Sequence, residues 1–224
     1  MAEQPPLTID VISDVMCPWC YIGKRRLEKA IRQVPGISVE VRWHPFQLDP
    51  ALPREGKDRE TYLNEKFGSA SKASSVYQRV SAAGAAEGIA FAFDRIRVSP
   101  NTLDCHRLIL WSRADGLQDE VVERLFRAYF IEGRDLSKSS TLVDISAEAG
   151  MESDLVAQLL ETDSDMAKLR SQIEQAGSMG VTGVPFFIID GRFAIAGAEA
   201  PETIAAALLH ADATRTADEP VTVN

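Results

Sequence analysis

Leu7-Thr8-Ile9-Asp10-Val11-Ile12-Ser13-Asp14-Val15-Met16-Cys17-Pro18-Trp19-Cys20-Tyr21 joins an alternating run to a short turn and two cysteines three positions apart. The alternation over Leu7 to Ile12 predicts a strand, and the apolar spacing from Tyr21 to Gln33 predicts an amphipathic helix. Pro18 suits the first helical position, where its missing N–H costs nothing. Cys17 then falls at the helix cap and Cys20 one turn further in. The positive end of the helix dipole favours a thiolate over a thiol, which makes Cys17 the candidate nucleophile. It would attack a substrate sulfur to form a mixed disulfide, and Cys20 is near enough to resolve it.

The pair can also be read as half of a zinc site or as two packed cysteines. Zinc takes four ligands, and the other candidates are Cys105, His106, His44, His210 and carboxylates. Cys105 and His106 are neighbours on an expected helix, about 100° apart around its axis, and chelate one ion poorly. There is no second C-x-x-C, so redox use leads and no metal ligand is assigned.

The bulk numbers are ordinary for a soluble globular protein. At 224 residues, 45% hydrophobic and 25% charged, the chain suits one large domain or one domain carrying an insertion. Its net charge of -9 argues against a nucleic-acid partner. No apolar run approaches the ~20 residues that span a bilayer, so no membrane partner is expected. The first residues show neither the basic nor the apolar part of an export signal, and three cysteines do not make a disulfide scaffold. The expectation is a cytoplasmic protein.

Working outward, Pro35-Gly36 marks a turn and Ile37 to Trp43 alternates as a second strand, giving a βαβ unit. Near the other end, Val184 to Ile189 and Arg192 to Ile195 flank Asp190-Gly191, a pair that favours a two-residue hairpin turn. Pro201 opens a last helix running to about Leu209. Between about Thr61 and Gly177 strand signals nearly vanish, and helices are expected from a Ser99-Pro100 start, over Asp119 to Phe130, Ser140 to Ala149, Glu152 to Leu160 and Ser164 to Ala176. The reading is an α/β domain made of residues 7–55 and 178–212, a helical insertion over 56–177, and a mobile tail over 213–224.

C-P-W-C after a first strand, a helical insertion, and Thr182-Gly183-Val184-Pro185 before a hairpin together resemble the DsbA-like branch of the thioredoxin superfamily. Ser13 to Lys24, with His44-Pro45-Phe46, Asn101-Thr102 and Val181 to Phe187, is similar to the FrnE group of that branch, described as dithiol-disulfide isomerases. The resemblance covers nearly the whole chain. It implies a thioredoxin-like fold with a large all-helical insertion. It also implies a cis Pro185 lying against the C-x-x-C, and a Val184 whose backbone pairs with a substrate chain beside Pro18 and Trp19. Asp10 would be the buried acid that accepts the Cys20 proton, its pKa raised by low dielectric. Relatives with histidine at the position of Trp19 stabilise their thiolate better, so this chain should be less oxidising and better suited to isomerisation or reduction. Its partners would be protein or peptide thiols and disulfides, with no cofactor and with glutathione as a candidate redox partner.

Other residues carry weaker signals. His106 is placed toward the cleft between insertion and core as a candidate substrate-binding residue, and Cys105 reads first as a small core residue. Asp14 is expected to shape the turn before Cys17. Two rival functions stand beside the oxidoreductase. Glutathione-dependent kappa-class transferases and 2-hydroxychromene-2-carboxylate isomerases share the insertion topology but generally place serine where Cys17 stands. A peptide-binding, chaperone-like module would use the cleft and leave the cysteines incidental.

Overall fold

The computed structural model describes residues 5–215. Strand β1 (Leu7–Ser13) leads into helix α1 (Pro18–Gln33) and strand β2 (Val39–Pro45), which lies parallel to β1 in a register from Leu7 opposite Val39 to Ser13 opposite Pro45. Leu7, Ile9 and Val11 are buried on one face of β1, where Ile22, Leu27 and Ala30 of α1 pack over them. Each of these leucine, isoleucine and valine side chains, once buried, contributes roughly 1.5–3 kcal/mol. Thr8, Asp10 and Ile12 leave the other face, because successive strand residues alternate.

The insertion then runs through β3 (Lys57–Asp58), α2 (Arg59–Phe67), α3 (Ala70–Ala86), β4 (Val98–Ser99), α4 (Leu103–Trp111), α5 (Gln118–Arg127), α6 (Ser139–Glu148), α7 (Ser153–Leu160) and α8 (Met166–Ser178). It is helical except for the two-residue ladder of β3 and β4, in which Lys57 faces Ser99 and Asp58 faces Val98. That ladder takes the serine expected to start a helix. Ser99 is buried and accepts a hydrogen bond from Arg59, and α4 begins instead at Leu103.

The chain returns to the sheet with β5 (Phe186–Ile189) and β6 (Phe193–Ala196), completing the order β2-β1-β5-β6 with β5 antiparallel to both neighbours. Asp190 and Gly191 take φ of 54° and 66° as the turn requires, but the last paired residues are Ile189 and Phe193, so the connection has three residues rather than two. Helix α9 (Pro201–Arg215) packs beside α1 and against β1, β5 and β6. It continues past Leu209 because Arg215 is held by the Asp190 carboxylate at 2.9 Å and by the Pro5 carbonyl at 2.9 Å. The remainder of the expected tail lies outside the described residues. The opposite face of the sheet holds a small cluster of Ile12, Ala176 and Val181, with Phe186 and Ile188 against it. The architecture is an α/β thioredoxin core carrying a large helical insertion.

Candidate active site

Cys17 caps α1 in an extended conformation (φ -91°, ψ 112°), with Pro18 opening the helix behind it. Its N–H donates to the Asp14 carbonyl, and the Cys20 N–H donates to the Cys17 carbonyl, both at 3.0 Å. This closed turn fixes the two sulfurs, present as free thiols, relative to each other. The Val184–Pro185 peptide bond is cis, and the Cys17 thiol donates to the Val184 carbonyl with a separation of 3.6 Å. Pro185 packs over the second turn of α1 so closely that a Cβ on Gly23 would meet its Cγ at 2.8 Å. Only glycine fits there without a shift.

The two thiols differ in surroundings. Cys17 lines a cleft of about 250 Å³ that opens between α1 and the insertion helices α2 and α3. Pro18, Trp19 and Val184 line it from the thioredoxin side, and Tyr62, Tyr77 and Val80 from the insertion side. Trp19 is 38% exposed at the rim. Cys20 is buried and does not reach the cleft. Burial pushes its thiol well up, the neighbouring Cys17 adds to this, and the Ser13 hydroxyl and the Asp14 backbone partly offset it. A raised pKa keeps Cys20 protonated, as a resolving group should be until the mixed disulfide has formed.

The acid beneath the site is Asp14, not Asp10. Asp14 is fully buried; its Oδ2 accepts the Leu48 N–H at 2.7 Å and its Oδ1 the Met16 N–H at 3.4 Å, which braces the turn leading into Cys17. Asp10 alternates with Ile9 and Val11, whose side chains face α1, so its carboxylate points to the other side of the sheet. There it accepts a hydrogen bond from His44 Nε2 at 2.7 Å, and that bond holds its carboxyl below the ordinary range, against the push of partial burial. Asp10 therefore neither carries a raised pKa nor stands beside Cys20. Ser13, the last residue of β1, is the side chain that reaches the Cys20 thiol. The strand's alternation, extended one residue further, was the signal for it.

His106 is also elsewhere. It is buried in α4, its Nε2 donates to the Phe46 carbonyl at 2.8 Å, and Asp14 Oδ1 lies 3.6 Å away. The ring is sealed beneath the loop that follows β2 and cannot touch a substrate in the cleft. Pro185 lines an adjoining groove with Gly183 and Val184, both of which also line the cleft. Cys105 is buried with its thiol pushed well up by burial. Among the described residues no group of three or more His, Cys, Asp or Glu side chains is placed to hold a metal ion, and no helix is long and apolar enough to cross a membrane.

The chain has counterparts among known proteins. The profile of the DSBA-like thioredoxin domain matches residues 8–209. The chain belongs to the DSBA-like thioredoxin domain family. A crystal structure described as a probable DsbA oxidoreductase, SCO1869 from Streptomyces coelicolor, superposes with a TM-score of 0.87 at 30% identity, over 97% of this chain and 94% of that one. The Bacillus subtilis (strain 168) protein YwbO, itself described as uncharacterized, is 27% identical over 194 residues, or 85% of this chain and 90% of that one. A 2-hydroxychromene-2-carboxylate isomerase shares the fold at a TM-score of 0.69 and 15% identity, over 94% of this chain and 98% of that one. The fold alone thus does not separate the two activities. Family and fold together support thiol–disulfide redox chemistry and an enzyme of the disulfide oxidoreductase type.

Proposed function

We propose that this protein is a dithiol–disulfide oxidoreductase of the FrnE group, acting on protein or peptide thiols and disulfides in the cytoplasm, as an isomerase or reductase rather than a strong oxidant. The observation that carries the reading is the asymmetry of the pair: Cys17, though only 4% exposed, lines the cleft beside the Val184 carbonyl, while Cys20 does not reach it and is buried with a raised pKa. The Cys17 thiolate attacks one sulfur of a substrate disulfide and releases the other as a thiolate. Cys20 then attacks Cys17, leaving a Cys17–Cys20 disulfide and freeing the second substrate thiol. Each cycle moves two electrons from the protein to the substrate, and isomerisation is the same first step followed by substrate self-rearrangement.

The preference for reduction rests on Trp19. An indole offers no positive charge to a neighbouring thiolate, whereas an imidazolium does, and a stabilised thiolate makes a disulfide more oxidising. The test is the reduction potential of the Cys17–Cys20 pair in glutathione buffers. A value at or below roughly -180 mV supports the reading, and one near about -120 mV, the strong-oxidant range, contradicts it. Trp19→His should raise the potential by about 30 mV or more, which corresponds to ~1.4 kcal/mol for two electrons. An unchanged potential would remove the basis for preferring reduction.

The glutathione-dependent isomerase reading has less support here, because both sulfurs of the C-x-x-C are present where that class generally uses serine.

A further inference from the structure

The insertion side of the cleft presents charge of a single sign to Cys17. Arg59 and Lys66, both on α2, line it, and no carboxylate does. The chain as a whole carries 33 acidic against 24 basic residues, so this local excess of cations runs against its composition. Arg59 is 7% exposed, and its guanidinium donates to three hydroxyls: Tyr77 at 2.6 Å, and Ser99 and Tyr129 at 3.3 Å each. Lys66 donates to the Tyr62 hydroxyl at 2.6 Å. Among the described residues neither Arg59, which is buried, nor Lys66, which is exposed at the rim, has a carboxylate within 4 Å, whereas the buried Lys24 has three. A buried cation is costly unless an anion compensates it, and hydroxyl oxygens supply dipoles but no charge.

We infer that the cleft selects a small disulfide bearing carboxylates, held by Arg59 and Lys66 while one of its sulfurs meets Cys17. The inference rests on the oxidoreductase reading above and adds the substrate class. The walls contributed by Trp19, Val76 and Val80 would take the aliphatic part of such a ligand. The chemistry balances without a further reactant: the Cys17–Cys20 dithiol is oxidised to a disulfide, and the ligand disulfide is reduced to two thiols that carry away both protons.

The experiment compares glutathione disulfide with its fully esterified form, which keeps the sulfur chemistry and removes the carboxylates. Oxidation of the reduced protein is followed by acid quench and mass spectrometry. The acid should react about five-fold faster or more, the scale expected of partly screened ion pairs, and the ratio should shrink in high salt. It should fall toward one in Arg59→Gln and in Lys66→Gln, with Lys66→Gln deciding alone if Arg59→Gln fails to fold. Equal rates for the two disulfides in the unmodified protein, or an undiminished ratio in the folded variants, overturn this inference alone. Failure to react with either disulfide overturns the oxidoreductase reading and this inference with it.

Discussion

Along α1 the first turn and the turns that follow it meet different surroundings. From Cys17 to Cys20 the helix has no acidic side chain in its first turn and no side-chain cap, and its reactive end faces a cleft. From Tyr21 to Lys29 the same helix is enclosed in ion pairs. Lys24 meets Glu28, Asp119 at 2.9 Å and Glu123 at 3.5 Å; Arg25 pairs with Glu28 and Glu123; Arg26 and Lys29 grip Glu87 at 2.7 and 2.6 Å. Asp119 and Glu123 belong to α5, and Glu87 directly follows α3, so these pairs fasten the thioredoxin core to the insertion. The difference teaches a division of labour within one helix: the clamped turns fix the cleft's two walls relative to each other, and the first turn is left free of competing charge for sulfur chemistry.

Breaking the clamp should have the largest effect. Lys24 is 3% exposed, and the Glu123 Oε2 that it faces is buried without a hydrogen bond. Lys24→Met would take the cation from Oε2 while Arg25 still holds Oε1, so the loss should lie at the low end of the about 3–5 kcal/mol that removing one member of a buried pair costs. Denaturant unfolding should show a drop of that order, and a loss under ~1 kcal/mol would mean that the clamp carries little. Gly23→Ala should cost less, about 1–3 kcal/mol, as overpacking against Pro185 usually does. It should also slow disulfide exchange, because the proline loop cannot keep its place. Unchanged kinetics would show that the loop tolerates displacement.

The smallest effect should appear in the pH dependence of stability. Burial pushes the carboxyls of Glu28 and Glu87 up, but the lysines and arginines bonded to them outweigh this and hold both below the ordinary range. A depressed carboxyl contributes stability that is complete above its unfolded pKa of ~4.3 and is lost as pH falls through the lower folded value. Thermal unfolding should therefore lose midpoint progressively below about pH 4.3, and Glu87→Gln should flatten part of that slope. An identical slope in the variant would place the acid sensitivity elsewhere.

The βαβ start, the hairpin and the cysteine cap were legible because strong local periodicities and turn residues coincide with what tertiary packing selects. The placement of the acids was not, although half of the answer was available. Leu7, Ile9 and Val11 are the core-facing residues of β1, and that alternation alone turns Asp10 away from α1. The resemblance argued the other way and misplaced it. His106 was misread because a histidine on an amphipathic helix looks the same whether it faces a cleft or seals a loop carbonyl. The two-residue ladder of Lys57 and Asp58 with Val98 and Ser99 is too short to leave a pattern. Helix α9 outruns its expected end because Asp190 and the Pro5 carbonyl, both far away in sequence, hold Arg215. Arg59 has no local signature that separates a buried cleft cation from a solvated one.

The measurement that bears most directly on the account is a brief alkylation of the reduced protein, with peptide mapping of each cysteine, beside mixed-disulfide trapping in the two serine variants. Cys17 on the cleft wall and the protonated Cys20 buried behind it require that Cys17 be modified first, that Cys20→Ser accumulate a mixed disulfide with a peptide substrate, and that Cys17→Ser form none. Faster modification of Cys20, or a trapped adduct in Cys17→Ser, would contradict it.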